Sequence, residues 1–404
     1  MTERRFHSVF SAREMARLCD TFGHGISDLR GCLSARRRKL QTDNGRRMPF
    51  PALRNIGCRG RGGSVLMVVL WIVGILAILV GFFAFDAHLE ARLTSHMRKR
   101  AKAEALARSG IEIAKMLMKK SQDVRGVDSE SEEAKKDRWF SHAWLLSKGL
   151  AIGRGTLVEQ LGDGTVSVEI VPEPARRNIN NLGSTDIQRE EALERILEVG
   201  GIPEEMFPRL VESFLDWIDG DGEPRRDGAE TDDYYARLDP PYRAKNGPLD
   251  TVGELLLVRG FNRAVLYGGT LEPAREGEEP VSVSGIEDML TTYGDGKVNV
   301  NAASKRVLMT LPEIDDVTAS AIIEEREGWY DESGRRKDSS FKSVDDFMAR
   351  VPGVPPAVRE MVTTESAIYR VTSVGQIGGV MYRIWCVLER SAGGATVLRW
   401  REGE

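Results

Sequence analysis

The sequence predicts an α+β protein. One long N-terminal helix, transmembrane in its first half, packs its second half on an antiparallel sheet, and a large all-α domain of duplicated units is inserted into that sheet. Three observations predict this. Val65 to Phe85 runs without a charge and is long enough to cross a bilayer as a helix. Helical patterning continues past it to Met118 without a break. Strand-like segments before Pro172 and after Ile368 bracket a helical stretch that contains one pattern twice.

The chain has 404 residues, 41% apolar and 29% charged, a globular composition with room for more than one folding unit. Charge is uneven. Residues 1–63 carry 14 Lys and Arg against 5 Asp and Glu, whereas the remainder carries 43 against 56. So acidic a body lacks the basic footprint of a nucleic-acid-binding protein. Cys19, Cys32 and Cys58 precede the apolar run and only Cys386 follows it. The body therefore folds without an internal disulfide, on its core or on metal.

Residues 64–85 read as the transmembrane helix. Arg54, Arg59 and Arg61 lie just upstream, whereas Asp86, His88, Glu90 and Arg92 follow with mixed sign. The positive-inside rule puts the N-terminus in the cytoplasm and the body outside, as a single-pass protein. A secretory signal peptide would have a shorter apolar region and a small-residue cleavage site. Residues 1–62 show weak periodicity and a basic run at Arg36 to Lys39. They read either as a cytoplasmic arm or, preferably, as a compact leader that starts at Met48. Past Phe85, residues 86–120 form the exposed half of the helix. An apolar seam runs through Leu89, Leu93, Ala101, Ala105, Ile111, Ala114 and Met118. Ala101, Ala103, Ala105 and Ala107 permit close packing against it.

Residues 121–137 are charged and read as a loop. Thr165 to Val171 alternates as a strand that Pro172 and Pro174 end. Residues 178–260 and 298–353 then form two copies of a helical unit. The first opens on Asn178-Ile179-Asn180-Asn181 and the second on Asn299-Val300-Asn301. Helices follow in each: Asp186 to Val199 and Pro203 to Ile218, then Ala303 to Leu311 and Asp316 to Arg326. Each copy closes on a capped helix, Thr251 to Gly260 with Glu254 completing a capping box, and Ser343 to Gly353 with Asp346 in that place. The period then switches. Ile368 to Val374, Val380 to Glu389 and Thr396 to Trp400 read as a strand meander. The sheet thus draws on 121–174 and 364–404, and the helical domain of 175–363 is its insert.

A basic leader ending in glycine, a spanning helix directly after it and a sheet on the helix's outer half together resemble the type IV pilins and pseudopilins. The resemblance implies that a prepilin peptidase cuts after Gly63, methylates the new amine of Ser64 and removes residues 1–63. Pilins usually carry glutamate as the fifth mature residue, and here that position is Val68. One branch shares this departure. Over residues 60–402 the chain resembles the minor pseudopilin K family of the type II secretion system (general secretion pathway protein K). It shares Val68-Val69-Leu70-Trp71, the two Asn-x-Asn motifs and helix–hairpin–helix-like repeats. Asp216-Trp217-Ile218-Asp219-Gly220-Asp221-Gly222-Glu223-Pro224, Gly228-Ala229-Glu230, Tyr234-Tyr235 and Pro240-Pro241-Tyr242-Arg243 follow in the family's order.

That resemblance implies a subunit of the bacterial inner membrane, at the tip of a pseudopilus, that starts or caps assembly. Its partners would be the minor pseudopilins of the I, J and H types, the major pseudopilin, the prepilin peptidase and the inner-membrane assembly platform. Secreted cargo or the outer-membrane secretin would lie beyond the tip. The family's glutamate is thought to pair with a neighbour's N-terminal amine, so Val68 marks a subunit with no pilin beyond it. A minor pilin of a type IV pilus shares the anchor but need not have the insert. A DNA-uptake protein would need a glycine-rich basic hairpin, whereas Leu311-Pro312-Glu313-Ile314-Asp315-Asp316 is acidic.

Asp219, Asp221 and Glu223 alternate with glycines, hard oxygen ligands at loop positions that suit Ca²⁺. A solvated acidic loop is the alternative reading, and the family's use of calcium favours a site. No enzyme is expected: His142 is the only histidine after the anchor besides His88 and His96, and no serine or cysteine motif accompanies it. Leu210, Val211, Phe214 and Trp217 lie at helical spacing and read as core.

Overall fold

The computed structural model describes residues 63–127, 136–153, 155, 157–272, 279–328, 339–391 and 393–403. They divide into two units, one ending at Val80 and one beginning at Gly81. A single helix, α1 (Gly63–Asp123), contributes to both. In the first unit every side chain from Val65 to Val80 is exposed, Val68 included. It is the one helix among the described residues long and apolar enough to cross a membrane.

In the second unit α1 packs on a five-stranded sheet. The strands are β1 (Val158–Leu161), β2 (Gly164–Pro172), β9 (Ile368–Ile377), β10 (Val380–Ser391) and β11 (Gly394–Glu402), antiparallel and in that spatial order. Period-two alternation buries one face: Val166, Val168 and Ile170 of β2, Tyr369, Val371 and Ser373 of β9, Ile384 and Cys386 of β10. Ala103, Ala107, Gly110, Ile111, Ala114 and Leu117 of α1 cover it. The expected seam holds at Ile111, Ala114 and Met118, which are buried, and fails at Ala101 and Ala105, which are exposed where Ala103 and Ala107 on the other face are buried. Residues two apart on a helix point about 200° apart, so alanines at 101, 103, 105 and 107 serve two opposite faces and their pattern alone does not choose one. Contact is backbone to backbone at Gly375, where a built Cβ would lie 2.0 Å from the Ala103 carbonyl oxygen.

α1 runs past Met118 to Asp123, so the expected loop of 121–137 begins late. Helix α2 (Phe140–Ser147), which the sequence reading lacks, then buries Phe140, Ala143 and Leu146 in the same core. Residues 128–135 of that loop lie outside the described residues.

β2 and β9 are neighbours in the sheet, Val168 opposite Ser373, although the insert separates them in sequence. The insert has its own hydrophobic core, which includes Leu210, Val211, Phe214 and Trp217. In the first copy β3 (Arg177–Asn178) leads to α3 (Asp186–Gly200) and α4 (Phe207–Ile218). Helix α5 (Arg263–Tyr267), a hairpin of β4 (Gly269–Leu271) and β5 (Val281–Val283), and β6 (Leu290–Thr291) follow. The second copy has β7 (Val298–Asn299), α6 (Lys305–Met309), α7 (Asp316–Glu327), α8 (Val344–Arg350) and β8 (Val362–Thr363).

The insert is thus mostly helical, not all-α. β3 pairs in parallel with β6, and β7 with β8. Two-residue ladders satisfy buried backbone groups but are too short to leave a period in the sequence. The expected helix over Thr251 to Gly260 is a 3₁₀ turn, Val252–Leu257. Glu254 accepts the Thr251 N–H at 3.1 Å as its capping role requires. Gly253 inside the turn and Gly260 at φ +88° disfavour continuing it as an α-helix.

Matched hydrogen bonds support the duplication. Asn180 Oδ1 accepts the Leu249 N–H at 2.8 Å, and its Nδ2 donates to the Leu249 carbonyl at 2.9 Å. Asn301 clasps Phe341 in the same way, at 2.8 and 2.9 Å. Leu249 and Phe341 each stand two residues before the capping residue, Thr251 or Ser343. The first copy therefore reaches β6, beyond residue 260. The second Asn-x-Asn also ties the insert to the body, since Asn299 Nδ2 donates to the Gly149 carbonyl and Asn301 Nδ2 to that of Lys148.

Candidate functional site

Three places bear on function. At the first, Gly63 and Ser64 are the opening residues of α1. Residues 1–62, with Met48 and the basic run, lie outside the described residues. Val68 is 57% exposed, on an apolar surface unbroken by charge.

The second is the acidic loop after α4. Helix α4 ends at Ile218, and Asp219 turns the chain into an extended conformation. Carboxylate oxygens of Asp219, Asp221 and Glu230 come within 4.8 Å of one another. Glu223 is not in this group; its N–H donates to Asp221 Oδ1 at 3.0 Å. The structure thus brings together two of the three expected ligands and replaces the third. Asp221 and Glu230 open onto a cleft of about 490 Å³ with Gly220, Gly222 and Thr231.

Two oxygens in this cluster lack a hydrogen-bond partner although buried, Asp219 Oδ1 and Glu230 Oε1. The other side of Asp219 is occupied: Arg225 Nη1 donates to Asp219 Oδ2 and to Asp216 Oδ1, both at 2.6 Å. Glu230 is 2% exposed, and burial, with Asp216, Asp219 and Asp221 adding to it, pushes its carboxyl up to about 7. Burial also raises Asp216 in spite of Arg225. Free carboxylate oxygens beside a carboxyl that resists ionisation are what a bound divalent cation would satisfy. The three carboxylates supply fewer oxygens than the six to eight Ca²⁺ prefers, leaving places for carbonyls or water.

The surroundings hold the loop. Trp217 stands edge-on to Tyr235, 5.1 Å between centroids, and Tyr235 Oη accepts the Arg259 N–H at 3.2 Å. Arg259 Nη1 donates to the Gly228 carbonyl at 2.7 Å. Gly228 must stay glycine, because a Cβ there would lie 2.0 Å from Asp216 Oδ2. Glu230 belongs to a motif the sequence singles out, Gly228-Ala229-Glu230. Its signal is its spacing: Glu230 is the twelfth residue counted from Asp219, the place where a twelve-residue calcium loop carries its closing glutamate, and the small buried Ala229 precedes it.

The third place is the hairpin between α6 and α7. Glu313 adopts φ +55°, a conformation that favours glycine. Asp315 Oδ1 accepts the Thr318 N–H at 2.8 Å, so the amide a phosphate would use is already taken by the chain's own carboxylate. That bond holds the Asp315 carboxyl below its usual range.

Family models place the chain. Two models, both described as type II secretion system protein K, match residues 175–268 and 298–364. Both copies of the insert are thus similar to this family. The second matched segment starts on β7 and closes just past β8, the parallel pair that bounds the second copy. The chain is 26% identical to the type II secretion system protein K of Pseudomonas aeruginosa, over 72% of its own length and 76% of that protein. It is 22% identical to the protein of that name from Aeromonas hydrophila, over 82% and 94%. Among solved structures it is similar to a chain of the GspK–GspI–GspJ complex of enterotoxigenic Escherichia coli. That likeness has 16% identity and a TM-score of 0.48, and covers 79% of this chain and 99% of that one.

Proposed function

We propose that this chain is a protein K family member, the minor pseudopilin at the tip of the type II secretion pseudopilus. There it starts or caps assembly and so serves protein export across the outer membrane. The observation that carries the reading is α1, apolar and exposed from Val65 to Phe85, with Val68 where pilins hold a glutamate. A carboxylate in hydrocarbon costs about 3 kcal/mol or more unless it is paired, and a tip subunit has no neighbour beyond it to supply the pair. The chain would lie in the inner membrane, N-terminus in the cytoplasm and body in the periplasm, processed at Gly63–Ser64 by the prepilin peptidase. Pseudopilins of the I, J and H types, the major pseudopilin and the assembly platform would be its partners, with cargo or the secretin facing the insert. The role is structural and not catalytic. Neither a type IV pilus nor DNA uptake is favoured by any feature of the chain over secretion.

Export measures this directly. A strain without the chain should retain its type II cargo, the wild-type chain should restore export, and Val68→Glu should restore it poorly while still inserting in the membrane. Normal export without the chain would overturn the reading.

Asp219, Asp221 and Glu230 are read as a structural Ca²⁺ site in the insert. In metal-free protein the raised Glu230 carboxyl makes its proton favour the folded state. That stabilisation is complete below about pH 4.3, where the unfolded chain is also protonated, and is lost as pH climbs to about 7. Ca²⁺ competes with the same proton. The melting temperature of the full chain in detergent should therefore fall on adding EDTA, most above pH 7 and hardly at pH 5. Glu230→Gln should remove the response and melt higher than wild type in EDTA at pH 8. Melting indifferent to EDTA at pH 8 would remove the site.

A further inference from the structure

Strand β3 holds a charge that the surrounding fold does not answer. Arg177 is 1% exposed and is the largest fully buried side chain of the described residues. Its backbone pairs with Leu290, but its Nε and Nη1 are buried and meet no acceptor. Its chain neighbour Arg176 also buries an Nη1 without a hydrogen bond, but its charge is answered: that Nη1 lies 3.6 Å from the Glu173 carboxylate, and its Nε donates to the Asp288 carbonyl at 3.2 Å. The charged group that bears on Arg177 is another cation, Arg195 of α3. Arg195 is half-buried and its ion pair with Glu191 is stretched to 3.9 Å. Burial first, then Arg195, brings the Arg177 guanidinium down to about 10, which leaves it charged at neutral pH.

A buried cation with open donors is costly, and a second cation beside it raises the cost. An ordered water would satisfy the donors without answering the charge. We infer that Arg177, with Arg195, holds a small monatomic anion of the chloride class inside the first copy of the insert. Near-complete burial argues against larger oxyanions, which would have to shed more hydration and find more donors than these two side chains offer. The inference is independent of the Ca²⁺ reading and of the place of the chain in the pseudopilus.

The full-length protein in a non-ionic detergent tests it. Melting is followed at fixed ionic strength while sodium chloride replaces sodium gluconate. Chloride should raise the melting temperature saturably, by about 2 °C or more. Arg177→Met should abolish the rise, and Arg195→Gln, at a half-buried position, should weaken it. Chlorine NMR gives a second readout that needs no variant at Arg177. The chloride line should broaden with wild-type protein, narrow on competition with bromide, and broaden less with Arg195→Gln. Equal melting in chloride and gluconate, or a line width that neither bromide nor Arg195→Gln alters, would mean water alone sits there and would overturn the inference.

Discussion

Gly375→Ala is expected to lift α1 from its sheet and to destabilise the sheet-bearing body by about 3 kcal/mol. The added Cβ would stand 2.0 Å from the Ala103 carbonyl oxygen and 2.7 Å from the Ala107 amide nitrogen. Both are helix backbone, which cannot rotate aside as a side chain can. Gly153→Ala is the control, since a Cβ there meets nothing within 4 Å. Urea unfolding of the full chain in detergent, followed by near-ultraviolet circular dichroism, should show the loss at 375 and a change near zero at 153. Equal stability of the two variants would mean the helix seats differently.

Glu173→Ala should cost about 3–5 kcal/mol, the usual effect of stripping one partner from a buried ion pair. Glu173 is fully buried at the point where the chain leaves β2 for the insert. Its oxygens accept from Arg370 Nε of β9 at 2.6 Å and from Thr291 Oγ1 of β6 at 2.6 Å. One carboxylate therefore links the sheet to the first copy. Its removal leaves Arg370 without its carboxylate and Arg176 facing another cation. The double change Glu173→Ala with Arg370→Ala should cost much less than the two single changes summed. Additive losses in denaturant titrations would show that the pair does not couple sheet and insert.

Particular residues show what could be read ahead of the structure. The anchor was legible because Val65 to Phe85 is long and uncharged, and the strands because alternation survives wherever one face is buried. The caps at Thr251 and Ser343 were legible because capping is local. What escaped depends on distant partners. Helix α2 hides between a charged stretch and β1, and only Phe140, Ala143 and Leu146 meeting α1 give it a reason to form. The face of the alanine-rich segment was set by Gly375, far along the chain, so the sequence favoured Ala101 and Ala105 where Ala103 and Ala107 are buried. In the acidic loop, alternate-residue spacing identified Asp219 and Asp221 and chose Glu223, the next carboxylate in the alternation. Glu230 stands twelfth from Asp219, where a calcium loop closes, so spacing could have found it, and Tyr235 and Arg259 hold the loop there. The two-residue ladders of the insert left no period to detect, yet they mark the ends of each copy better than its helices do.

The central claim is that α1 begins where a prepilin peptidase leaves it. Mass spectrometry of the mature N-terminus, from cells with and without that peptidase, tests it most directly. The account predicts a chain that starts at a methylated Ser64 when the peptidase is present and keeps its leader when it is absent. An uncut chain in both, or a cut elsewhere than Gly63–Ser64, would contradict it.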